Sequence, residues 1–146
     1  MISKDDLRFN CAESAIIRVN DGYPLPGFGP AVMRIASGFG GGVGGWGSVC
    51  GAVSGAIMVL CLINGTEGTE TADDFKRKRD HQRELSQKFL AAFEEKFGTV
   101  NCMDLLGVDR RTEEGRIKYD EMKARGETHC GEYVEWASSY MLEILK

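Results

Sequence analysis

The chain has 146 residues, 42% of them hydrophobic and 27% charged, with a formal net charge of -4. That length suits one domain with a real core. The balance of 18 basic against 22 acidic residues excludes the basic excess of a nucleic-acid binder, and the apolar content excludes general disorder. Val49–Ile63, the longest apolar stretch, falls short of a bilayer span and is interrupted by Gly51, Ser54 and Gly55. Met1–Asn10 lacks the apolar core of a secretory signal, so a cytoplasmic protein with no membrane and no nucleic-acid partner is expected. Structural disulfides are rare in that compartment.

In chain order the pattern predicts helices throughout. Leu7, Cys11, Ala15 and Val19 recur at helical spacing and predict a first helix over Asp5–Val19, with Ser3–Asp6 as a capping sequence. Asn20–Pro30 holds all three prolines and is a loop, followed by a short helix over Ala31–Ala36. Gly38–Gly47 has seven glycines in ten residues. Ordering such a segment is entropically costly. It is either a flexible linker or backbone passing close to something, and Phe39, Val43 and Trp46, apolar anchors that linkers lack, favour the second. Ser48 is expected to cap a central buried helix, Val49–Ile63, whose small residues Gly51, Ala52, Gly55 and Ala56 admit a closely packed neighbour.

The longest helix is predicted over Ala72–Phe97, with Asp73 and Asp74 in its first turn and Gly98 after its end. Phe75, Leu85, Phe89, Ala92, Phe93 and Phe97 form its apolar stripe. The charged run around His81 is solvated, its bases interleaved with acids. A turn of helix starts at Asn101–Cys102 and stops at Gly107. Thr112–Lys123 is a weaker helix containing Gly115. Thr128 is expected to cap a last helix to Leu145, with Cys130, Val134, Ala137, Met141 and Leu145 on its inner stripe. The fold class is therefore all-α: a compact helical bundle, one domain over 1–146, with a glycine-rich loop before a central buried helix.

The five cysteines are Cys11, Cys50, Cys61, Cys102 and Cys130. None forms the C-x-x-C pair of a zinc finger, and no c-type haem motif is present. Any shared site has to be assembled by the tertiary fold. Cys50, Cys102 and Cys130 fall in the first turns of three predicted helices, where unpaired N–H groups and the helix dipole favour a thiolate or an anionic ligand. Cys11 is read as lying within the first helix and Cys61 as a buried hydrophobe near the end of the central helix. His129, beside Cys130, is a further candidate as ligand or proton acceptor, against a plain surface position. The glycine segment lacks the Lys-Ser/Thr ending of a phosphate-binding loop.

Asn10–Ser14, the glycines of Gly38–Gly47, Ser48–Ala56 with Cys50, Asn101–Cys102 and Cys130 together resemble the redox-active proteins named for the C_GCAxxG_C_C pattern. Here the central motif reads Cys-Gly-Ala, with Cys50 aligned to the motif cysteine, and Cys61 matches no motif position. The resemblance implies a helical domain with Cys11, Cys50, Cys102 and Cys130 gathered at one site. It is also similar to the domain attached to split-Soret cytochromes, which implies an iron–sulfur centre. The first expectation is thus an electron-transfer module whose four cysteines ligate an iron–sulfur cluster, [2Fe-2S] favoured, serving a redox partner protein. The alternatives are a thiol–disulfide oxidoreductase with Cys50 as nucleophile and another cysteine resolving it, and a non-catalytic zinc or interaction domain. Whether the chain is an enzyme, and whether it forms a homodimer, stay open at this stage.

Overall fold

The computed structural model describes residues 8–146. Among them the elements are helical: α1 (Cys11–Gly22), α2 (Pro30–Ala36), a 3₁₀ turn (Ser37–Phe39), α3 (Gly51–Asn64), α4 (Ala72–Phe97), α5 (Cys102–Leu106), α6 (Glu113–Ala124) and α7 (Cys130–Leu145). The all-α expectation holds. Asp5–Leu7 and the proposed Ser3–Asp6 cap lie outside the described residues.

The start of α1 differs from expectation. Residues 8–10 are not helical. Asn10 is the N-cap, its Oδ1 accepting from the Glu13 N–H at 2.8 Å while Glu13 Oε1 accepts from the Asn10 N–H at 2.8 Å. This reciprocal pair satisfies two donors that a helix start otherwise leaves orphaned. Asn10 Nδ2 also donates to the carbonyls of Ala36 and Ser37 at 3.3 Å, fastening the start of α1 to the end of α2.

Helices α1, α3 and α7 form the centre. α3 is hydrophobic nearly all round, and Ala52, Val53, Ala56, Val59 and Leu60 are fully buried. A Cβ added at Gly55 would run into the Ala12 carbonyl, so α1 and α3 meet backbone to backbone, as the small-residue flank implies. α4 lays its stripe over this centre: Phe89 and Phe93 are fully buried, and rings of Phe89, Phe93, Phe97, Tyr133, Trp136 and Tyr140 pack against one another between α4 and α7. Burying aromatic side chains contributes most of the apolar area of such a core.

Two other helix starts are shifted. α3 begins after Cys50, which is its N-cap, rather than after Ser48. Ser48 and Val49 are extended instead, because they pair with the segment before α5: Val49 bridges Asn101, the Cys50 N–H donates to the Val100 carbonyl at 2.7 Å and the Cys102 N–H to the Ser48 carbonyl at 2.6 Å. α7 begins at Cys130, with His129 in the N-cap position making no side-chain cap, so Thr128 is not the cap. Among the described residues no helix is long and apolar enough to cross a membrane.

Candidate functional site: four cysteines at helix starts

These boundaries put the four motif cysteines in equivalent places. Cys11, Cys102 and Cys130 are the first residues of α1, α5 and α7, and Cys50 is the N-cap of α3. Cys11 therefore does not sit inside a helix as the apolar spacing suggested. The signal that locates it is the Asn10–Glu13 capping pair.

All four side chains lie in one neighbourhood. Cys130, Cys50 and Cys102 are all close enough to Cys11 for their charges to act on it, Cys130 most strongly. The two-residue bridge above holds Cys50 beside Cys102. The packing of α1 on α7 holds Cys11 beside Cys130. All five cysteines are free thiols. Cys61 stands apart near the end of α3. Contrary to expectation it is exposed, with its Sγ 3.5 Å from Gln82 Nε2, because the last turns of α3 emerge beside an open apolar groove lined by Val32, Ile35, Met58 and Leu62.

The thiols are not equivalent electrostatically. The interaction with Cys11 stabilises a thiolate on Cys130, whose pKa is drawn down to about 7 despite burial, with Arg110 assisting. The same interaction holds the proton on Cys11 and drives its pKa far upward, reinforced by burial and by the charges of the other three cysteines. Burial pushes Cys50 up to about 11, only partly offset by the N–H groups of Ala52 and Val53 aimed at its sulfur. Burial also raises Cys102, opposed by Arg110. The expectation that Cys50 is the low-pKa nucleophile is thus overturned in the metal-free thiols. Desolvation outweighs the helix N-terminus there, and Cys130 is the acidic thiol.

The glycine segment closes over this end of the molecule. Gly41, Gly42, Val43, Gly44 and Gly45 all have positive φ, between 61° and 76°. The resulting tight coil bonds to itself, with Gly47 N–H donating to the Gly41 carbonyl at 3.0 Å and Ser48 N–H to the Gly42 carbonyl at 2.9 Å. Gly42 is the residue that touches the site: a Cβ there would lie 2.7 Å from Cys102 Cβ and 2.6 Å from the Ser48 nitrogen. Gly44 faces open space. Of the expected anchors, Phe39 packs on the core, whereas Val43 and Trp46 are exposed, and the Trp46 ring is covered by the Arg111 guanidinium at 4.9 Å.

Sequence reasoning passed over three residues here: Arg110, Tyr119 and Tyr133. Arg110 is close enough to Cys102 to favour its thiolate and lies 4.0 Å over the Tyr119 ring. Gly115 makes that possible. A Cβ there would collide with the Asp109 carbonyl, so only glycine lets the 109–112 turn press onto α6. Tyr119 and Tyr133 both feel the charges of cysteines in the cluster. His129 is exposed and faces Glu132, its Nδ1 3.4 Å from the carboxylate, which is the plain surface reading. His81 is exposed in the charged run, as expected.

Among the described residues, no three His, Cys, Asp or Glu side chains are grouped so that they could hold a metal ion as they stand. Thiols are the donor type that iron–sulfur groups take, and backbone is pressed against Cys102 at Gly42 and against Cys11 at Gly51, where a Cβ would lie 3.0 Å from Cys11 Cβ.

An all-helical domain that gathers four cysteines at the starts of four helices is the class that fold and site define. The chain belongs to the family described as "Putative redox-active protein (C_GCAxxG_C_C)", whose model matches residues 9–144. No curated protein and no solved structure matches it.

Proposed function

We propose that this chain is an electron-transfer module in which Cys11, Cys50, Cys102 and Cys130 hold an iron–sulfur cluster of the [2Fe-2S] type and exchange electrons with a redox partner protein. The observation that supports it most is the mutual interaction of four buried or half-buried thiols drawn from four helices. A [2Fe-2S] cluster would supply one-electron chemistry there. The chain's own residues do the rest. The Ala52 and Val53 N–H groups point at the Cys50 sulfur and offset its negative charge. The Gly42 coil shields Cys102 from solvent. Arg110 offsets charge on Cys102 and Cys130.

A second reading is favoured by the interaction of Cys11 with Cys130. That pair would cycle between a thiol–thiolate pair, with Cys130 the thiolate, and a disulfide, losing two electrons and one proton to a disulfide-bearing partner that is itself reduced to a thiol and a thiolate. Anaerobic purification with iron and acid-labile sulfide analysis separates the two. Stoichiometric iron and sulfide, with visible absorption that bleaches on reduction, supports the cluster. A metal-free protein in which Cys11 and Cys130 form a reversible disulfide contradicts it in favour of the second reading. Stoichiometric zinc without colour contradicts both.

A further inference from the structure

A cluster of thiolates is strongly anionic, and burial makes that charge costly. The Arg110 guanidinium lies in this neighbourhood, 4.0 Å over the Tyr119 ring and close enough to Cys102 to offset its charge. One of its terminal nitrogens is 3.0 Å from where a Cβ would stand on Gly41. Three elements therefore fix it: the glycine coil, the start of α5 and the face of α6. The adjacent Arg111 is differently engaged. Asp109 holds it by two hydrogen bonds of 2.9 and 3.0 Å, and it covers Trp46 on the outer surface. Among the described residues, no acid forms an ion pair with Arg110. Lys123 adds a weaker positive influence on Cys130.

We propose that Arg110 is a positioning counter-charge of the four-cysteine site, held by Tyr119, and that it favours the more negative of the site's two redox states. This rests on the proposed redox role of the site, but not on which form that role takes. Adding one electron to a cluster, or two electrons to a Cys11–Cys130 disulfide to give a dithiol with Cys130 as thiolate, makes the site more negative in both cases. A fixed cation beside it raises the reduction potential in both. Two unit charges about 4 Å apart interact strongly at an effective dielectric near 20, so the effect exceeds what a surface charge produces. Cation–π contact with Tyr119 keeps the guanidinium on the site rather than extended into water.

The test is the midpoint potential of the purified, anaerobically handled protein, measured for whichever couple it shows, in wild type, Arg110→Gln, Arg110→Lys, Arg111→Gln, Tyr119→Phe and Tyr119→Leu. Arg110→Gln is expected to shift the reduction equilibrium at least about tenfold toward the oxidised state, about 59 mV for one electron or about 30 mV for two. Arg110→Lys and Tyr119→Phe should stay near wild type, and Tyr119→Leu should fall between. Arg111→Gln removes an equal charge one residue away and should leave the potential unmoved. An unchanged potential in Arg110→Gln, or an equal shift in Arg111→Gln, overturns the inference while leaving the redox centre standing. A wild-type protein with no couple of either kind overturns the redox role and this inference with it. Unchanged helical spectra distinguish these shifts from loss of fold.

Discussion

Cys11 and Cys130, near opposite ends of the chain, are the first residues of α1 and α7, and each acts directly on the other's thiol. The interaction splits two identical groups into an acidic thiol and a proton-holding one. In the metal-free protein Cys130 is expected to react with iodoacetamide in a pH profile centred near 7, about two units below its ordinary 9.0. Removing the donor with Cys11→Ala should move that profile back toward 9. The linkage sign follows from the depressed Cys130 pKa. Its contribution to stability is complete above about pH 9 and is lost as pH falls through about 7. Peptide mapping of alkylation rates between pH 6 and 10, as a rough span around these values, reads the shift, and a profile unmoved by Cys11→Ala would show that the pair does not share a proton.

Gly42 and Gly44 both have positive φ, but only Gly42 faces a cysteine. Gly44→Ala should cost only the left-handed backbone penalty, about 1–2 kcal/mol. Gly42→Ala adds overlap with Ser48 and Cys102 and should cost more, with loss of the redox centre. Chemical denaturation of the two variants, alongside their redox-centre content, separates them. Equal stability and equal centre content would reduce the coil to a connector.

Asn10 anchors the first of the four cysteines. Asn10→Ala removes the cap to Glu13 and both bonds to the end of α2, and should destabilise the fold by about 1–2 kcal/mol. It should also loosen Cys11, the next residue, so that Cys130 loses part of its thiolate character. Thermal denaturation and the Cys130 alkylation profile should therefore shift together.

Much of this was legible in the residues and some was not, for physical reasons. The α4 stripe of Phe89, Phe93 and Phe97, with Thr71 before it and Gly98 after, was plain because a long helix repeats its period many times. The start of α1 was misread because Leu7 continues the apolar spacing of Cys11 and Ala15. Spacing carries no information about where hydrogen bonding begins, whereas the Asn10–Glu13 cap does. The shift of α3 from Ser48 to Cys50 came from the bridge to Asn101, a contact distant in sequence. Arg110 was hidden for the same reason, since it joins a glycine coil, α5 and α6. Cys61 follows the fully buried Leu60 in an apolar run, yet it faces the open groove, because a step of one residue turns the helix surface by about 100°.

Cys61→Ala is the internal control for the site. It removes an exposed thiol whose polar contact is one weak bond from Gln82, so it should change stability by less than about 1 kcal/mol. All redox properties should persist. A loss of the centre in this variant would assign a role to the wrong end of α3.

The most direct measurement is a potentiometric titration of the five single Cys→Ala variants beside the wild type. Cys11, Cys50, Cys102 and Cys130 are taken to form one redox centre and Cys61 to lie outside it. The wild-type couple should therefore survive in Cys61→Ala and be lost or grossly altered in Cys11→Ala, Cys50→Ala, Cys102→Ala and Cys130→Ala. If the couple survives intact in Cys50→Ala and Cys102→Ala but is lost in Cys11→Ala and Cys130→Ala, the centre is the Cys11–Cys130 dithiol and not a four-cysteine site. If it survives in all four, the site at the helix starts is not redox-active.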